Sequence, residues 1–322
     1  MRFRWAVAAL LLCTSASAHS VYTVFDVPGA TGTFPTAINT QRSTTGAWSD
    51  GSMLHGFVRD VDGNIETFDP AGSEGTHPLA INYRGEIAGY FFKNGRSFAF
   101  MRGRKDNIKI LKIHGSSMAT TINHADAIAG STVVDERSRG FQRNANGELL
   151  LFDAPGAQDT FPLAMNNAVE IVGRYVTPED PEHDHAFIRH GDGTFTTFDV
   201  PGAQSTDPAS IDDDGTVAGS YADGEGQVHA FVRAAGGSIS SFSVPGADAT
   251  MAVGLDNHGS LFGSWIAPDM STHGFVHRFD GKIVLFDAPN ASNTLVDAVN
   301  ERGVSTGLAS KSGVTHGFLR TR

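Results

Sequence analysis

A sevenfold internal repeat constrains this chain more than any other feature of its sequence. Two landmarks recur together every 41 to 46 residues: an Asn or Asp followed seven positions later by Gly, and the Phe of an HGF- or HAF-like triplet. Because self-similarity at a fixed period is the signature of repeat architectures, we expect seven copies of one supersecondary unit. The first landmark lies at Asn39/Gly46, Asn82/Gly89, Asn123/Gly130, Asn166/Gly173, Asp212/Gly219, Asp256/Gly263 and Asn300/Gly307, and the second at Phe57, Phe100, Phe141, Phe187, Phe231, Phe275 and Phe318.

Within each repeat, apolar and polar residues alternate with a period of two, which is typical of β-strands. Around Asp212 the pattern predicts four strands, ASID, TVAGSYA, HAFVR and SISSFSV, separated by Gly-rich or Asp-Gly turns. Four short antiparallel strands in about 44 residues form the unit of a propeller blade. The sequence therefore predicts an all-β fold, a seven-bladed β-propeller.

The two ends of the chain complement each other. The seventh repeat stops after its third strand, GFLRTR, whereas VYTVFDV at 21–27 is an additional strand ahead of the first repeat. Pairing these segments would complete the last blade and cover two exposed strand edges. Segments such as FDVPGA are predicted to carry the chain from the outermost strand of one blade to the innermost strand of the next, because Pro fixes φ and Gly permits positive φ.

The first eighteen residues have the pattern of a secretory signal peptide. Arg2 and Arg4 precede an apolar run, and Ala16 and Ala18 supply the small residues of a cleavage site. Cleavage would remove Cys13, the single cysteine, so disulfides and cysteine nucleophiles are excluded from the mature chain. We expect a secreted or periplasmic protein whose residues 19–322 form one domain.

Charge and motifs exclude several classes of function. A net charge of -11 argues against binding to nucleic acid, and no apolar stretch beyond the leader is long enough for membrane insertion. The sequence contains no GxSxG, HExxH or phosphate-binding loop. A propeller of this length buries enough surface to be stable as a monomer, which is the oligomeric state we expect.

Aromatic residues two positions beyond the repeat Gly are candidates for ligand binding. At a propeller mouth, aromatic faces can stack on sugar rings. The same residues share a strand face with apolar neighbours, so packing between blades is the alternative. The candidates are Trp48, Tyr175, Tyr221 and Trp265.

Histidine occupies the first triplet position in five repeats, at His55, His185, His229, His273 and His316. A ring of histidines is compatible with a metal centre or with general bases. The alternative is a hydrogen bond within the same blade, for example to the Asp of the FD dipeptide.

Two segments depart from the repeat. PEDPEHDH at 178–185 carries Asp180, Glu182, His183 and Asp184, which are candidate ligands for a hard metal such as calcium, or else a solvated acidic loop. No other cofactor is indicated. The second segment is a basic patch for an acidic glycan or partner, or else a set of strand edges kept basic to prevent pairing. It comprises Lys93, Arg96, Arg102, Arg104, Lys105, Lys109 and Lys112, of which Arg102, Arg104 and Lys105 are the ligand-binding candidates.

The triplets and the N-x-x-G-x-[IVL]-x-G segments resemble those of the bacterial HAF-type extracellular repeat proteins. The triplet appears here as His185-Ala186-Phe187, and the resemblance covers nearly the whole mature chain, departing at Phe98 and Arg139 where the His is replaced. It implies secretion and repeats, with no catalytic residues to transfer. We expect a binding module for a glycan or an envelope protein. The alternatives are an extracellular polysaccharide hydrolase or lyase built from mouth-lining loops, and a purely structural envelope protein.

Overall fold

A computed structural model describes residues 20–104 and 107–321, and every regular element in these two ranges is a β-strand. The predicted signal peptide and Cys13 lie outside the described residues. Twenty-eight strands follow one another along the chain, four for each repeat when the first strand is counted with the last repeat. The expectation of an all-β fold with four strands per repeat is confirmed.

The strands are assigned to repeats in chain order. Strand β1 (Val21–Phe25) precedes repeat 1, which comprises β2 (Gly32–Ile38), β3 (Thr44–Ser49), β4 (Leu54–Arg59) and β5 (Ile65–Phe68). Repeat 2 comprises β6 (Gly75–Ile81), β7 (Ile87–Lys93), β8 (Arg96–Arg102) and β9 (Ile108–Ile110). Repeat 3 comprises β10 (Ser116–Ile122), β11 (Ile128–Val134), β12 (Arg137–Arg143) and β13 (Leu149–Phe152). Repeat 4 comprises β14 (Asp159–Met165), β15 (Ile171–Val176), β16 (His185–Arg189) and β17 (Phe195–Phe198).

The last three repeats follow the same order. Repeat 5 comprises β18 (Ala203–Ile211), β19 (Val217–Asp223), β20 (Val228–Arg233) and β21 (Ile239–Phe242). Repeat 6 comprises β22 (Ala249–Leu255), β23 (Leu261–Ile266), β24 (Thr272–His277) and β25 (Ile283–Phe286). Repeat 7 comprises β26 (Asn293–Val299), β27 (Ser305–Lys311) and β28 (Val314–Thr321).

Neighbouring strands of one repeat pair antiparallel in chain order. Repeats 2, 3 and 4 each form a separate four-stranded sheet. Repeats 5 and 6 are joined into one larger sheet by a single parallel pair, Val228 with Ala249, and repeats 7 and 1 by Gly32 with Thr315. Strand β1 pairs antiparallel with β28, from Val21 opposite Thr321 to Phe25 opposite Gly317. The N-terminal strand is therefore the fourth strand of the last repeat.

A β-bulge in the first strand of every repeat explains the invariant glycine. The register of β2 against β3 shifts between Pro35 and Ala37, and the other six first strands shift at the equivalent place. A Cβ on Gly46 would lie 2.1 Å from the carbonyl oxygen of Phe34, inside van der Waals contact. The second strand can approach the bulge this closely only where it has no side chain.

The glycine of the HGF-like triplets leaves room for an aromatic ring of its own sheet. Gly56 lies opposite Phe68 in the same sheet, and a Cβ on Gly56 would lie 2.7 Å from that ring. Gly140 is crowded by Phe152 in the same way. The space is therefore taken by the Phe of the FD dipeptide on the fourth strand of the same repeat.

Contacts between consecutive sheets also repeat. The triplet Phe of every repeat has 0% exposure and lies in the apolar core. At the end of the third strand, an Arg lies over the FD Phe of the preceding sheet, for example Arg102 over Phe68 at 4.8 Å and Arg59 over Phe25 at 5.0 Å. Such cation–π contacts add to apolar burial where the guanidinium is desolvated.

Asp297 occupies the bulge of the last repeat, where repeats 1 and 3 have a threonine and the remaining repeats an aliphatic residue. Thr36 and Thr120 at this position donate to carbonyl oxygens of the next repeat, Pro78 at 2.7 Å and Pro162 at 2.9 Å. Oδ2 of Asp297 is shielded from solvent and has no hydrogen-bond partner in the described ranges. Desolvation by burial raises the pKa of Asp297 to about 7.

We predict that Asp297→Asn removes a pH dependence of stability. A carboxyl whose pKa is raised by folding stabilises the fold most below its unfolded pKa, near 3.8, and this contribution is lost as pH rises through 7. The wild type should therefore lose melting temperature between pH 5 and pH 8 relative to the variant, as measured by thermal unfolding in matched buffers. Parallel pH profiles for the two proteins would contradict this assignment.

Candidate functional site at the ends of the inner strands

The first strands of all seven repeats end at one cavity of about 740 Å³. Each repeat contributes the turn between its first and second strands, and each turn begins with the repeat Asn or Asp. Residues separated by more than 260 positions, such as Asn39 and Glu301, line the same space. We call this space the central cavity.

The repeat Asn holds both its own turn and the next repeat. Oδ1 of Asn39 accepts the backbone N–H of Ser43 at 2.9 Å, while its Nδ2 donates to the carbonyl oxygen of Asn82 at 3.0 Å. Asn82, Asn123 and Asn166 donate in turn to the carbonyl of the following repeat. Asn300 of the last repeat donates to the carbonyl of Asn39 at 2.8 Å. An Asn serves here because one amide group supplies an acceptor and a donor.

Asp212 and Asp256 replace the Asn in repeats 5 and 6. Oδ1 of Asp212 accepts the backbone N–H groups of Asp214 and Thr216, and Oδ1 of Asp256 makes the equivalent turn contacts. The turn is therefore preserved, whereas a carboxylate brings negative charge to this side of the cavity in place of an amide donor.

The residue after each repeat Asn or Asp forms the rim of the cavity, and these seven positions differ from one repeat to the next. Tyr83 and His124 contact each other with ring centroids 4.6 Å apart, and Tyr83 is 37% exposed. Next along the rim, the backbone N–H of His124 donates to Oδ1 of Asn167 at 3.0 Å, and both carboxylate oxygens of Asp213 accept hydrogen bonds from Asn167 at 2.8 Å. The seven rim residues are Thr40, Tyr83, His124, Asn167, Asp213, Asn257 and Glu301.

The rim is electrostatically asymmetric. Beside Tyr83, the guanidinium of Arg84 lies over its ring at 5.2 Å and pairs with Asp126 at 3.0 Å, so that its charge is compensated. Burial, followed by a hydrogen bond with Asp126, raises the pKa of the adjacent Glu86. The opposite half carries the rim residues Asp213 and Glu301, and the neighbouring carboxylates of Asp212, Asp214 and Asp256 line the same side of the cavity. One half of the rim is therefore aromatic and the other acidic.

The four aromatic residues predicted to bind ligand lie elsewhere, on the second strands. Each faces the triplet His across the β-ladder: Trp48 stacks on His55 at 4.6 Å and Trp265 on His273 at 4.7 Å. Tyr175 and Tyr221 make looser contacts with His185 and His229. All four also pack against apolar clusters, and none of them lines the central cavity. These contacts match the packing alternative, and a role in sugar binding stays a prediction.

The triplet histidines contact the FD Asp, as the within-blade alternative predicted. Nδ1 of His55 lies 2.7 Å from Asp69, and equivalent contacts join His185 to Asp199, His273 to Asp287 and His316 to Asp26. His229 contacts Ser243, which replaces the Asp in that repeat. Desolvation lowers the pKa of His55, but hydrogen bonds to Asp69 and Asp50 outweigh it and raise the pKa overall.

The predicted metal ligands have protein partners. His183 contacts Asp180 at 2.7 Å, and Asp184 pairs with Arg174, which also lies 3.8 Å from Asp207. Glu182 is exposed. Across residues 20–104 and 107–321, no group of three or more His, Cys, Asp or Glu side chains is placed to hold a metal ion. Calcium binding by this loop stays a prediction.

Of the three basic candidates, Arg102 and Arg104 do not share one surface. Arg102 is 3% exposed and pairs with Glu66 at 2.8 Å beneath the Phe68 ring. Arg104 is exposed and donates from Nε to the carbonyl oxygen of Arg84, near the rim. Lys105 lies outside the described residues. Of the two described candidates, Arg104 is therefore the one that the fold brings close to the central cavity.

Sequence reasoning missed Tyr83 and His124. The signal was their place directly after the repeat Asn, which aligns them with the other rim positions. That signal has meaning only when the turns of different repeats are known to meet at one cavity.

Known structures share the fold at low sequence identity. No model of a known protein family matches the chain, and no curated protein is detectably similar to it in sequence. A catalytically inactive virginiamycin B lyase from Staphylococcus aureus, solved with quinupristin, aligns with a TM-score of 0.63 at 12% identity over 94% of this chain and 100% of its own. The β-propeller domain of the trilobed protease from Pyrococcus furiosus aligns at 0.58 and 13% identity, over 80% and 82%. Puromycin hydrolase aligns at 0.62 and 12%, over 92% and 54%.

These likenesses identify the fold as a β-propeller and carry no activity to this chain. In the described ranges, no helix is long and apolar enough to cross a membrane.

We predict that Asn300→Asp destabilises the protein by about 1–3 kcal/mol, because it removes one buried amide donor and faces a carboxylate towards a carbonyl. The substitution is isosteric and keeps the turn contacts of Oδ1 to Arg302 and Val304. Urea unfolding measures the loss. Asn146→Asp is the matched control. Oδ1 of Asn146 accepts the backbone N–H of Glu148, and a carboxylate oxygen can accept this hydrogen bond equally well. Equal stabilities of the two variants would contradict the role assigned to the Asn300 donor.

Proposed function

We propose that this chain is a secreted or periplasmic, closed, seven-bladed β-propeller that binds a glycan at the central cavity. The observation that carries the proposal is the composition of the rim, where the exposed Tyr83 and the half-buried His124 face amide and carboxylate groups across a cavity of about 740 Å³. A cavity of this size lies within the usual range of small-ligand sites, about 300–1,000 Å³.

Two contacts support a closed ring of seven blades. The amide of Asn300 donates to the carbonyl of Asn39, and β1 supplies the fourth strand beside β28. The seven inner-strand turns lining one cavity agree with this closure. In the proposed ring, each sheet is one blade and the central cavity is one mouth of the axial channel.

The chemistry of the rim suits sugars. Sugar hydroxyls both donate and accept hydrogen bonds, so they match the amide of Asn257 and the carboxylates of Asp214 and Glu301. The apolar face of a sugar ring packs on an aromatic ring, which Tyr83 offers. The acidic half of the rim disfavours densely anionic glycans, so we expect neutral or amino sugars to bind best.

Binding without turnover is favoured because several rim carboxylates have structural roles. Asp212 caps its turn and Asp213 is held by the Asn167 amide. These carboxylates hold the shape of the cavity. A hydrolase or lyase would instead need an acid and a base free to exchange protons with the substrate.

The test is a glycan array probed with the mature chain, with a product assay run in parallel on the same sugars, with and without calcium. Saturable binding without products is expected. Tyr83→Ala should weaken it at least about tenfold through lost stacking. Phe279→Ala is the matched control, because Phe279 is 69% exposed in a turn away from the cavity.

Three outcomes would overturn the proposal. Release of products at a substantial rate would favour the enzyme alternative. Loss of binding in Trp48→Ala but not in Tyr83→Ala would move the site to the second-strand aromatics. Absence of binding to every glycan would favour an envelope-protein partner or a structural role.

A further inference from the structure

A second, smaller cavity of about 130 Å³ lies between repeats 4 and 5, beside the central cavity. Ile211 and Asp214 line both spaces, so the two are adjacent. Its other walls include Arg233, Ile188 and Thr196. We call it the Arg233 pocket.

Arg233 is a buried cation without an acidic partner among the residues that the structure describes. It is 8% exposed, lies over the Phe198 ring at 4.8 Å and makes a long hydrogen bond from Nη1 to the carbonyl of Ala234, 3.4 Å. Its Nε is shielded from solvent and has no hydrogen-bond partner in the described part of the chain. Burial lowers the pKa of Arg233, yet a guanidinium remains charged in proteins. Burying this charged guanidinium without a full set of hydrogen bonds costs free energy, and an acceptor bound from outside the chain would offset that cost.

Equivalent arginines in two other repeats show which partners are missing. Arg102 pairs with Glu66 of the preceding fourth strand at 2.8 Å. Arg189 donates to Oε1 of Gln142, on the preceding third strand, at 2.8 Å.

The strand registers identify the corresponding positions in front of Arg233. In repeat 4, Thr196 of β17 lies opposite Ile188 of β16. The equivalent pairs are Glu66 opposite Val58 in repeat 1 and Leu150 opposite Gln142 in repeat 3. Thr196 therefore stands where Glu66 does, and Ile188 stands where Gln142 does. Both replacements line the Arg233 pocket, which occupies the space that an acceptor side chain would fill.

The remaining polar groups of the pocket are largely paired. His190 contacts Glu170 through Nδ1 and the Thr196 hydroxyl through Nε2, both at 2.9 Å. The hydrogen bond from His190 is the main cause that lowers the pKa of Glu170. Asp214 is exposed at the boundary with the central cavity. A small ligand of low charge is therefore favoured over a phosphate.

We propose that the Arg233 pocket binds a carboxylate, which accepts charge-assisted hydrogen bonds from the Arg233 guanidinium in place of the missing Glu or Gln. A volume of about 130 Å³ corresponds to roughly four water molecules of about 30 Å³, enough for a carboxylate with a short substituent. Arg binds a planar carboxylate through two parallel N–H groups, which gives geometric selectivity. The carboxylate is either that of a free short-chain acid or one carried by a sugar acid. This proposal does not depend on glycan binding at the central cavity.

The experiment is a titration of the mature protein with sodium acetate, sodium glucuronate and inorganic phosphate at constant ionic strength, followed by ¹H–¹⁵N spectra of the arginine Nε–H groups. A saturable shift of the Arg233 signal with acetate or glucuronate is expected. Similar affinity for both would assign recognition to the carboxylate alone, and glucuronate tighter by at least about tenfold would assign it to a sugar acid.

Thr196→Glu tests the pocket without removing Arg233. The new carboxylate should pair with Arg233 as Glu66 pairs with Arg102, and should weaken acetate and glucuronate binding at least about tenfold. Thr196→Val, which supplies no acceptor, is the matched control and should retain binding. If Thr196→Glu does not fold, Arg233→Met serves as the second variant, with the same expected loss. Absence of a saturable shift, unchanged binding in Thr196→Glu, or phosphate binding tighter than both acids would overturn the proposal.

Discussion

The fold depends on one hydrogen bond that recurs at the end of five inner strands, from the amide of the repeat Asn to the first carbonyl of the next turn. The contact between Asn39 and Asn82 is representative. Since Oδ1 of the same side chain holds its own turn, a single residue sets both the turn and the spacing between consecutive sheets. The invariant Gly seven residues later admits the bulge that directs the inner strand to this point. The Asn and the Gly of the first sequence landmark thus belong to one junction.

Repeated residues therefore carry structure, and variable positions next to them carry chemistry. In four repeats the triplet His is held by the FD Asp, and in five repeats the terminal Arg of the third strand lies over a Phe of the preceding sheet. The rim position directly after the repeat Asn or Asp makes no such recurring contact. Its residue type differs between the repeats, and only repeats 4 and 6 share one, an Asn. The two residues in front of Arg233 also vary between repeats. Thr196 and Ile188 leave the acceptor position empty, whereas Glu66 fills the equivalent position in front of Arg102.

Period-two alternation and the repeat count were sufficient to predict the strands, the four-stranded sheets and the pairing of β1 with β28, because these follow from local pattern and from the need to cover strand edges. The hydrogen bond of His55 to Asp69 followed from the shared spacing of triplet and FD. The burial of Arg102 did not, because its partner Glu66 lies in another repeat and depends on the inter-sheet register. Tyr83 was missed for a related reason, since the turns that surround it are far apart in sequence.

The central claim is that the chain closes into one cooperative ring through β1. Native-state hydrogen exchange of the backbone amides that pair β1 with β28, from Val21 to Phe25, tests this most directly. The account predicts that the inward-bonded amides of β1 exchange through the same global opening, and with the same protection, as those of inner strands such as β14. Fast exchange of β1 while the inner strands stay protected would contradict closure through β1.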